Sequence, residues 1–187
     1  MKIDAIRRKR TVLATAGLLA AVLAVTGLSV AWTGHHHYRL GGGWIGGAGG
    51  SVFNALYIPL DPAGQKAALR VNFSISYGAD TAGLLTAFGA DALTEYVGEA
   101  AMISHDTWKW SMVGYAVKQG NPPEIRAIGV ASGTAAFTGV NSFNVNMDQA
   151  IYLAAADADG DGFPDPGATP VVTLTNQTGS AKRVPLP

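Results

Sequence analysis

The sequence predicts an all-β fold: an antiparallel meander of about eight strands closed into a small barrel, with a β-sandwich as the alternative. Three observations carry this reading. Beyond Thr33, apolar and polar residues alternate with period two in one stretch after another. Most of these stretches are separated by short turn-forming segments such as "DPAG" at residues 61–64 and "GVNS" at residues 139–142. No ten-residue stretch after Thr33 carries the 3.6-residue period of an amphipathic helix. Short connections suit antiparallel neighbours, and closure removes the exposed edges that an open sheet would leave.

The chain begins with a different grammar. Lys2, Arg7, Arg8, Lys9 and Arg10 form a basic head, and the next 23 residues, Thr11 to Thr33, contain no charge. A basic head before an apolar run is the layout of a signal peptide. Ser29-Val30-Ala31 places small residues at both positions a signal peptidase inspects, so residues 1–31 are expected to leave by cleavage before Trp32. The alternative is an uncleaved anchor over residues 11–33, because about 20 apolar residues span a bilayer. Either reading puts the rest of the chain outside the cytoplasm, secreted or periplasmic. Residues 32–50 are rich in Gly and His and read as a linker, with Trp44 as the first anchor. Residues 51–187 then form the barrel domain.

Within that domain the strands follow in order. Val52–Leu60 comes first. In "ALRVNFSISY", Leu69, Val71, Phe73, Ile75 and Tyr77 share one face. Residues 79–92 resist the strand pattern and suit a helical turn or a lid-like loop. Leu93–Ile103 and Thr107–Lys118 are joined at Ser104–Asp106. Pro122 and Pro123 interrupt any ladder after them. Glu124–Ser132 and Thr134–Thr138 follow. In "SFNVNMDQAIYL", Phe143, Val145, Met147, Ile151 and Leu153 share a face on which Gln149 is the exception. Val171–Thr175 and Ala181–Leu186 close the chain.

Charge and composition exclude some functions. The whole chain has 13 basic and 13 acidic side chains, and residues 1–31 hold five of the basic and one of the acidic. The remainder is therefore eight against twelve, a net charge of −4. Nucleic-acid binding needs a basic patch, and none is present. Without cysteine, no disulfide staples the domain, so its stability rests on buried apolar area.

The densest charge lies in "DADGDGFPD", residues 157–165. Asp157, Asp159 and Asp161 stand at alternating positions, Gly162 follows where a sharp turn is needed, Phe163 offers a backbone carbonyl, and Asp165 comes two residues later. Calcium takes six to eight oxygen ligands from such loops. Ala168 stands where an EF-hand carries a bidentate Glu, and strands rather than helices flank the loop, so it is not an EF-hand. It resembles a single copy of the aspartate-rich calcium repeat of thrombospondin type 3 modules, which implies calcium as a structural ion. The competing reading is a solvated acidic turn without an ion.

Other candidates are thinner. Trp108, Trp110 and Met112 alternate on one strand face, with Met102 across the turn; they read either as packed core or as the wall of an apolar ligand pocket. His35-His36-His37 is either a metal-binding run or an incidental part of the linker. His105 beside Asp106, with Glu95 and Glu99 nearby in sequence, is the one acid–base grouping in the folded region. It sits in a turn, and no catalytic residue is assigned.

Gly42-Gly43-Trp44 supplies a Gly-x-Trp near the first strand, and Arg183 lies near the last. With the strand count, these residues resemble the calycin group, the lipocalin-like small barrels. The resemblance implies a closed barrel around a pocket for a small apolar ligand, with Arg183 packed over Trp44. It covers the strand count and those two positions and names no ligand. The resulting expectation is an exported, non-enzymatic barrel that binds a small apolar molecule or serves as an envelope accessory protein, with a calcium-stabilised loop. The alternatives are a barrel isomerase or cyclase acting on a small hydrophobic substrate, and a structural or adhesive surface module. A carrier needs an apolar cavity, an enzyme needs His105 or a glutamate inside it, and a structural module needs a filled core.

Overall fold

The computed structural model describes residues 40–49, 51–74 and 85–185, all within one compact unit, Tyr38–Pro187. These residues form nine strands: β1 (Gly42–Ala48), β2 (Ser51–Pro59), β3 (Lys66–Ser74), β4 (Ala92–Leu93), β5 (Tyr96–Met102), β6 (Thr107–Lys118), β7 (Glu124–Gly139), β8 (Ser142–Leu153) and β9 (Val172–Arg183). All pairings are antiparallel. β1 pairs with both β2 and β9, and β6 pairs with both β5 and β7. The sheet therefore closes on itself as an eight-stranded barrel, with β4 as a short extra strand beside β6. The barrel stands, and the sandwich alternative does not. The segment read as a signal or anchor, the His35–His37 run and residues 75–84 lie outside the described residues.

The alternation read from sequence is the inside–outside alternation of the barrel wall. Phe53, Ala55 and Tyr57 on β2, Leu69 and Val71 on β3, and Phe143, Val145 and Met147 on β8 are all buried, while the residues between them are exposed. Four strand boundaries differ from the sequence reading, each for a physical reason. Gly42–Ala48 lies inside the stretch taken as linker, yet it pairs on both sides; its glycines hid the alternation that Trp44 and Ala48 carry. Leu93–Ile103 is not one strand. Leu93 and Tyr96 both pack inward, so the chain shifts phase between them. At that shift the Thr94 hydroxyl accepts from the Tyr115 amide at 2.9 Å, replacing a ladder carbonyl.

The other two differences join what the sequence divided. Gly133 was taken as a break between strands, but β7 runs through it to Gly139. A Cβ at Gly133 would lie 2.9 Å from the Trp110 indole and 1.9 Å from the Asn146 carbonyl, so the glycine makes room for a ring and a neighbouring strand. β9 likewise runs through Asn176, which adopts φ 55° at a register shift where its amide donates to the Asp148 carboxylate at 2.8 Å. Asn tolerates this left-handed conformation better than most residues, so the irregularity bends the strand without ending it.

One end of the barrel is sealed by aromatic rings. Trp44 is 1% exposed and packs against Phe143 at 4.6 Å and Phe137 at 5.7 Å between ring centroids. Its indole N–H donates to the Leu40 carbonyl at 2.8 Å. The Arg183 guanidinium lies 4.5 Å from the Trp44 ring centroid and donates to the Gly41 carbonyl. Through this stack the last strand covers the first, and the polar atoms that it buries are bonded.

Candidate functional site

The lumen is filled at the Trp44 end and hollow at the other, and side-chain size decides which. Inward positions on β6 run Trp108, Trp110, Met112, Gly114 and Ala116, from the sealed end to the open one. On β7 the same direction runs from Phe137 through Ala135 and Ala131 to Gly129 and Ala127. Around Trp110 and Met112 the residual space is only about 20 Å³, room for about one water. Above it opens a cavity of about 510 Å³. Its wall is mostly apolar, including Phe73, Phe88, Leu93, Ala127, Met147 and Ile151, and among the described residues no charged side chain lines it.

The polar groups in this cavity are few and placed by the fold. Tyr96 reaches inward from β5 and its ring crosses β6 and β7. A Cβ at Gly114 would fall 2.4 Å from that ring, and one at Gly129 would fall 2.2 Å from its hydroxyl. Gly114 and Gly129 are register partners, so together they make a slot for the ring. The slot brings the Tyr96 oxygen to Gln149 on β8, whose side-chain amide donates to it at 3.2 Å. Phe73 holds the other side of the ring, edge-on at 5.2 Å. Burial raises the Tyr96 pKa and the Gln149 bond offsets this in part, so the phenol stays protonated and able to donate. Gln177 also lines the cavity, but its amide is tied to the Thr175 carbonyl at 3.1 Å.

The residues singled out from sequence fall in three places. Trp108, Trp110 and Met112 are buried in the filled half, with Met102 packed against the same core; Trp110 and Met112 border the small void below the cavity. His105 is exposed in the turn at the sealed end. Its neighbour Asp106 accepts from the Thr107 and Ser104 hydroxyls, each at 2.9 Å, which holds its carboxyl below the usual range. Glu95 is on the outer wall, bonded to Arg70 and to the Asn72 amide at 3.3 Å. Glu99 is exposed. None of these acid–base groups lines the cavity. Tyr96 was not singled out from sequence. Its partner Gln149 was visible as the one polar residue on an otherwise apolar strand face.

The aspartate loop connects β8 to β9 at the open end of the barrel, after a 3₁₀ turn at Ala154–Ala156. Carboxylate oxygens of Asp157, Asp159 and Asp165 lie within 4.8 Å of one another. The cluster omits Asp161, whose carboxylate accepts from the Phe163 amide at 2.8 Å. Asp157 accepts from the Gly162 amide through Oδ2 at 3.0 Å, while its Oδ1 is buried with no hydrogen-bond partner among the described residues. Gly160, Gly162 and Gly167 take positive φ at the bends. The Tyr115 hydroxyl, on the outside of β6, donates to the Gly162 carbonyl at 3.0 Å. The loop is thereby held against the outer wall, where Val113 and Ile128 are only 5% and 1% exposed although both point outward.

No family model matches the chain, and no curated protein matches it. The chain is similar to a solved structure of EF1p2_mFAP2b bound to DFHBI, at 18% identity and a TM-score of 0.45, over 79% of this chain and 99% of that one.

The glycine slot makes a coupling measurable. Gly129→Ala is expected to destabilise the protein by about 1–3 kcal/mol through overpacking. In a Tyr96→Phe background the loss should be smaller, because the nearest clashing atom, the phenol oxygen, is gone. Urea unfolding of the four variants in a double-mutant cycle reads the coupling, and strictly additive losses would refute the slot.

Proposed function

We propose that this chain is a calycin-like barrel that binds a small apolar molecule in the cavity above Met112 and Met147. The observation that carries this is the cavity itself: about 510 Å³, mostly apolar-walled, with no charged residue in its described lining. Binding pockets for small ligands run roughly 300–1,000 Å³ with few polar groups. The Trp44–Arg183 stack is the contact that the calycin resemblance implies and supports the same reading. A non-enzymatic role fits the placement of His105, Glu95 and Glu99 away from the cavity; Tyr96 is the one titratable group in its described lining, and burial keeps it protonated. A structural module gains nothing from a hollow half. A neutral fluorescent probe, N-phenyl-1-naphthylamine, should bind saturably with a blue-shifted emission. Ala127→Phe, which puts a ring into the cavity, should weaken that binding at least tenfold while the circular dichroism stays unchanged. Equal binding by both proteins would place the probe elsewhere.

Calcium held by Asp157, Asp159 and Asp165 is the second part of the proposal. Three carboxylates converging within 4.8 Å, one with a buried oxygen lacking a partner among the described residues, are an oxygen-ligand set that a divalent cation would neutralise. Carbonyls such as that of Phe163 and waters would complete the shell. At an extracellular-range affinity of about 10⁻⁴–10⁻³ M, 5 mM calcium should stabilise the fold by about 1–2 kcal/mol, a Tm rise of roughly 2–8 °C. Asp159→Asn should remove most of that rise. A melt indifferent to calcium and chelator would leave an acidic turn.

Export is the third part, resting on the basic head and apolar run of residues 1–33. Expression of the full chain in a bacterium, followed by mass measurement of the periplasmic product, should give a mature chain beginning at Trp32. A full-length mass in the membrane fraction would favour the anchor, and one in the cytoplasm would exclude export.

A further inference from the structure

The wall of the cavity says which apolar molecules fit it. Inside the barrel the Gln149 side-chain amide donates to the Tyr96 oxygen at 3.2 Å. That bond uses one Gln149 N–H and one Tyr96 lone pair. Among the described residues it leaves the Tyr96 O–H without an acceptor and the Gln149 Oε1 without a donor. Both atoms belong to residues that line the cavity. The bond is only part-buried, so the spare donor and acceptor stand side by side at the cavity wall, and a ligand that covers them without bonding them loses their solvation.

We infer that the cavity takes an uncharged ligand, apolar over most of its surface, with one carbonyl or hydroxyl group that bonds Tyr96 and Gln149. This rests on the cavity being the binding site. Lys, Arg and His are absent from its described lining, so a carboxylate would enter with no cation to pair with, and its desolvation would oppose binding. Asp and Glu are absent too, so an ammonium group fares no better. A pure hydrocarbon would bury the Tyr96 O–H and the Gln149 oxygen unbonded. A neutral carbonyl accepts from the Tyr96 O–H, and a hydroxyl can also donate to Gln149 Oε1. Because the ring is fixed by the Gly114–Gly129 slot, the donor is already aimed and little ordering is needed on binding.

The test uses one ring system with four substituents: naphthalene, 2-acetonaphthone, 2-naphthalenemethanol and 2-naphthoate, each titrated calorimetrically into the wild-type chain. The ketone and the alcohol should bind about fivefold or more tightly than naphthalene, the worth of a good neutral hydrogen bond, and 2-naphthoate should bind most weakly. Tyr96→Phe and Gln149→Met should each bring the ketone to within about twofold of naphthalene, with naphthalene itself binding at least as tightly as to wild type. That last readout separates loss of the bond from loss of the fold. Naphthalene and ketone binding equally to wild type would overturn the inference and leave the apolar cavity standing. Tightest binding by 2-naphthoate would overturn it as well. Binding of none of the four would remove the cavity as a binding site, and the inference with it.

Discussion

Along β6 the inward side chains pass from Trp108 and Trp110 through Met112 to Gly114 and Ala116, and the interior of the barrel is organised by that taper. Closure fixes the lumen, so volume not filled by side chains stays open. At the broad end of the taper the rings of Trp44, Phe137 and Phe143 complete the filling, and Arg183 covers the stack from outside. At the narrow end β7 supplies alanines and glycines, and among the described residues nothing fills the space they leave. The same small residues that open the cavity admit the Tyr96 ring between them. A single gradient of side-chain size thus produces the sealed end, the hollow end and the polar group inside it.

Much of the architecture was legible because alternation survives wherever each second residue is clearly apolar, as on β3 and β8. It failed where glycine erased the signal. β1 looked like linker because five of its residues, counting Gly42, Gly43, Gly46 and Gly47 with the small Ala48, show no amphipathic contrast. Gly133 looked like a break for the opposite reason, since a residue that usually marks turns was there to admit an indole. Glycine in this barrel is mostly a packing residue, and one-dimensional reading treats it as punctuation. Trp44 and Arg183 were paired through the resemblance to the lipocalin-like barrels alone; nothing in the alternation connects them.

The interior site was less legible. Tyr96 and Gln149 are 53 residues apart, and their contact depends on the register of β5 through β8. Alternation fixes which face a residue takes, not its height on the wall. Trp108, Trp110 and Met112 illustrate this: the face was read correctly, but their height puts them in the filled half. Gln149 was the local clue, because a polar residue on an inward face needs a partner, and only the assembled barrel identifies Tyr96. The aspartate loop was legible as a cluster through its spacing, yet the fold turns Asp161 toward its own backbone and keeps only Asp157, Asp159 and Asp165 together.

Loop and cavity share an end of the barrel, and their connection is specific. The loop leaves β8 just after Ile151 and rejoins β9 at Val172, and both residues line the cavity. The Val171 amide closes the base of the loop by donating to the Ile151 carbonyl at 2.8 Å. The Asp165 amide clips the loop again, donating to the Ala156 carbonyl at 2.6 Å. A cation between Asp157, Asp159 and Asp165 would pull together the two sides of this clip, and its route to the cavity runs through the β8 and β9 ends. Tyr115 gives a second tether, since its hydroxyl holds Gly162 while its amide bonds Thr94, two residues from Tyr96. If an ion shifts either strand end, ligand and ion affinities must change by the same factor in both directions; if the ends are already rigid, the ion adds stability alone. The hydrogen bonds at the loop base favour the second case, because they hold the strand ends in register before any ion binds.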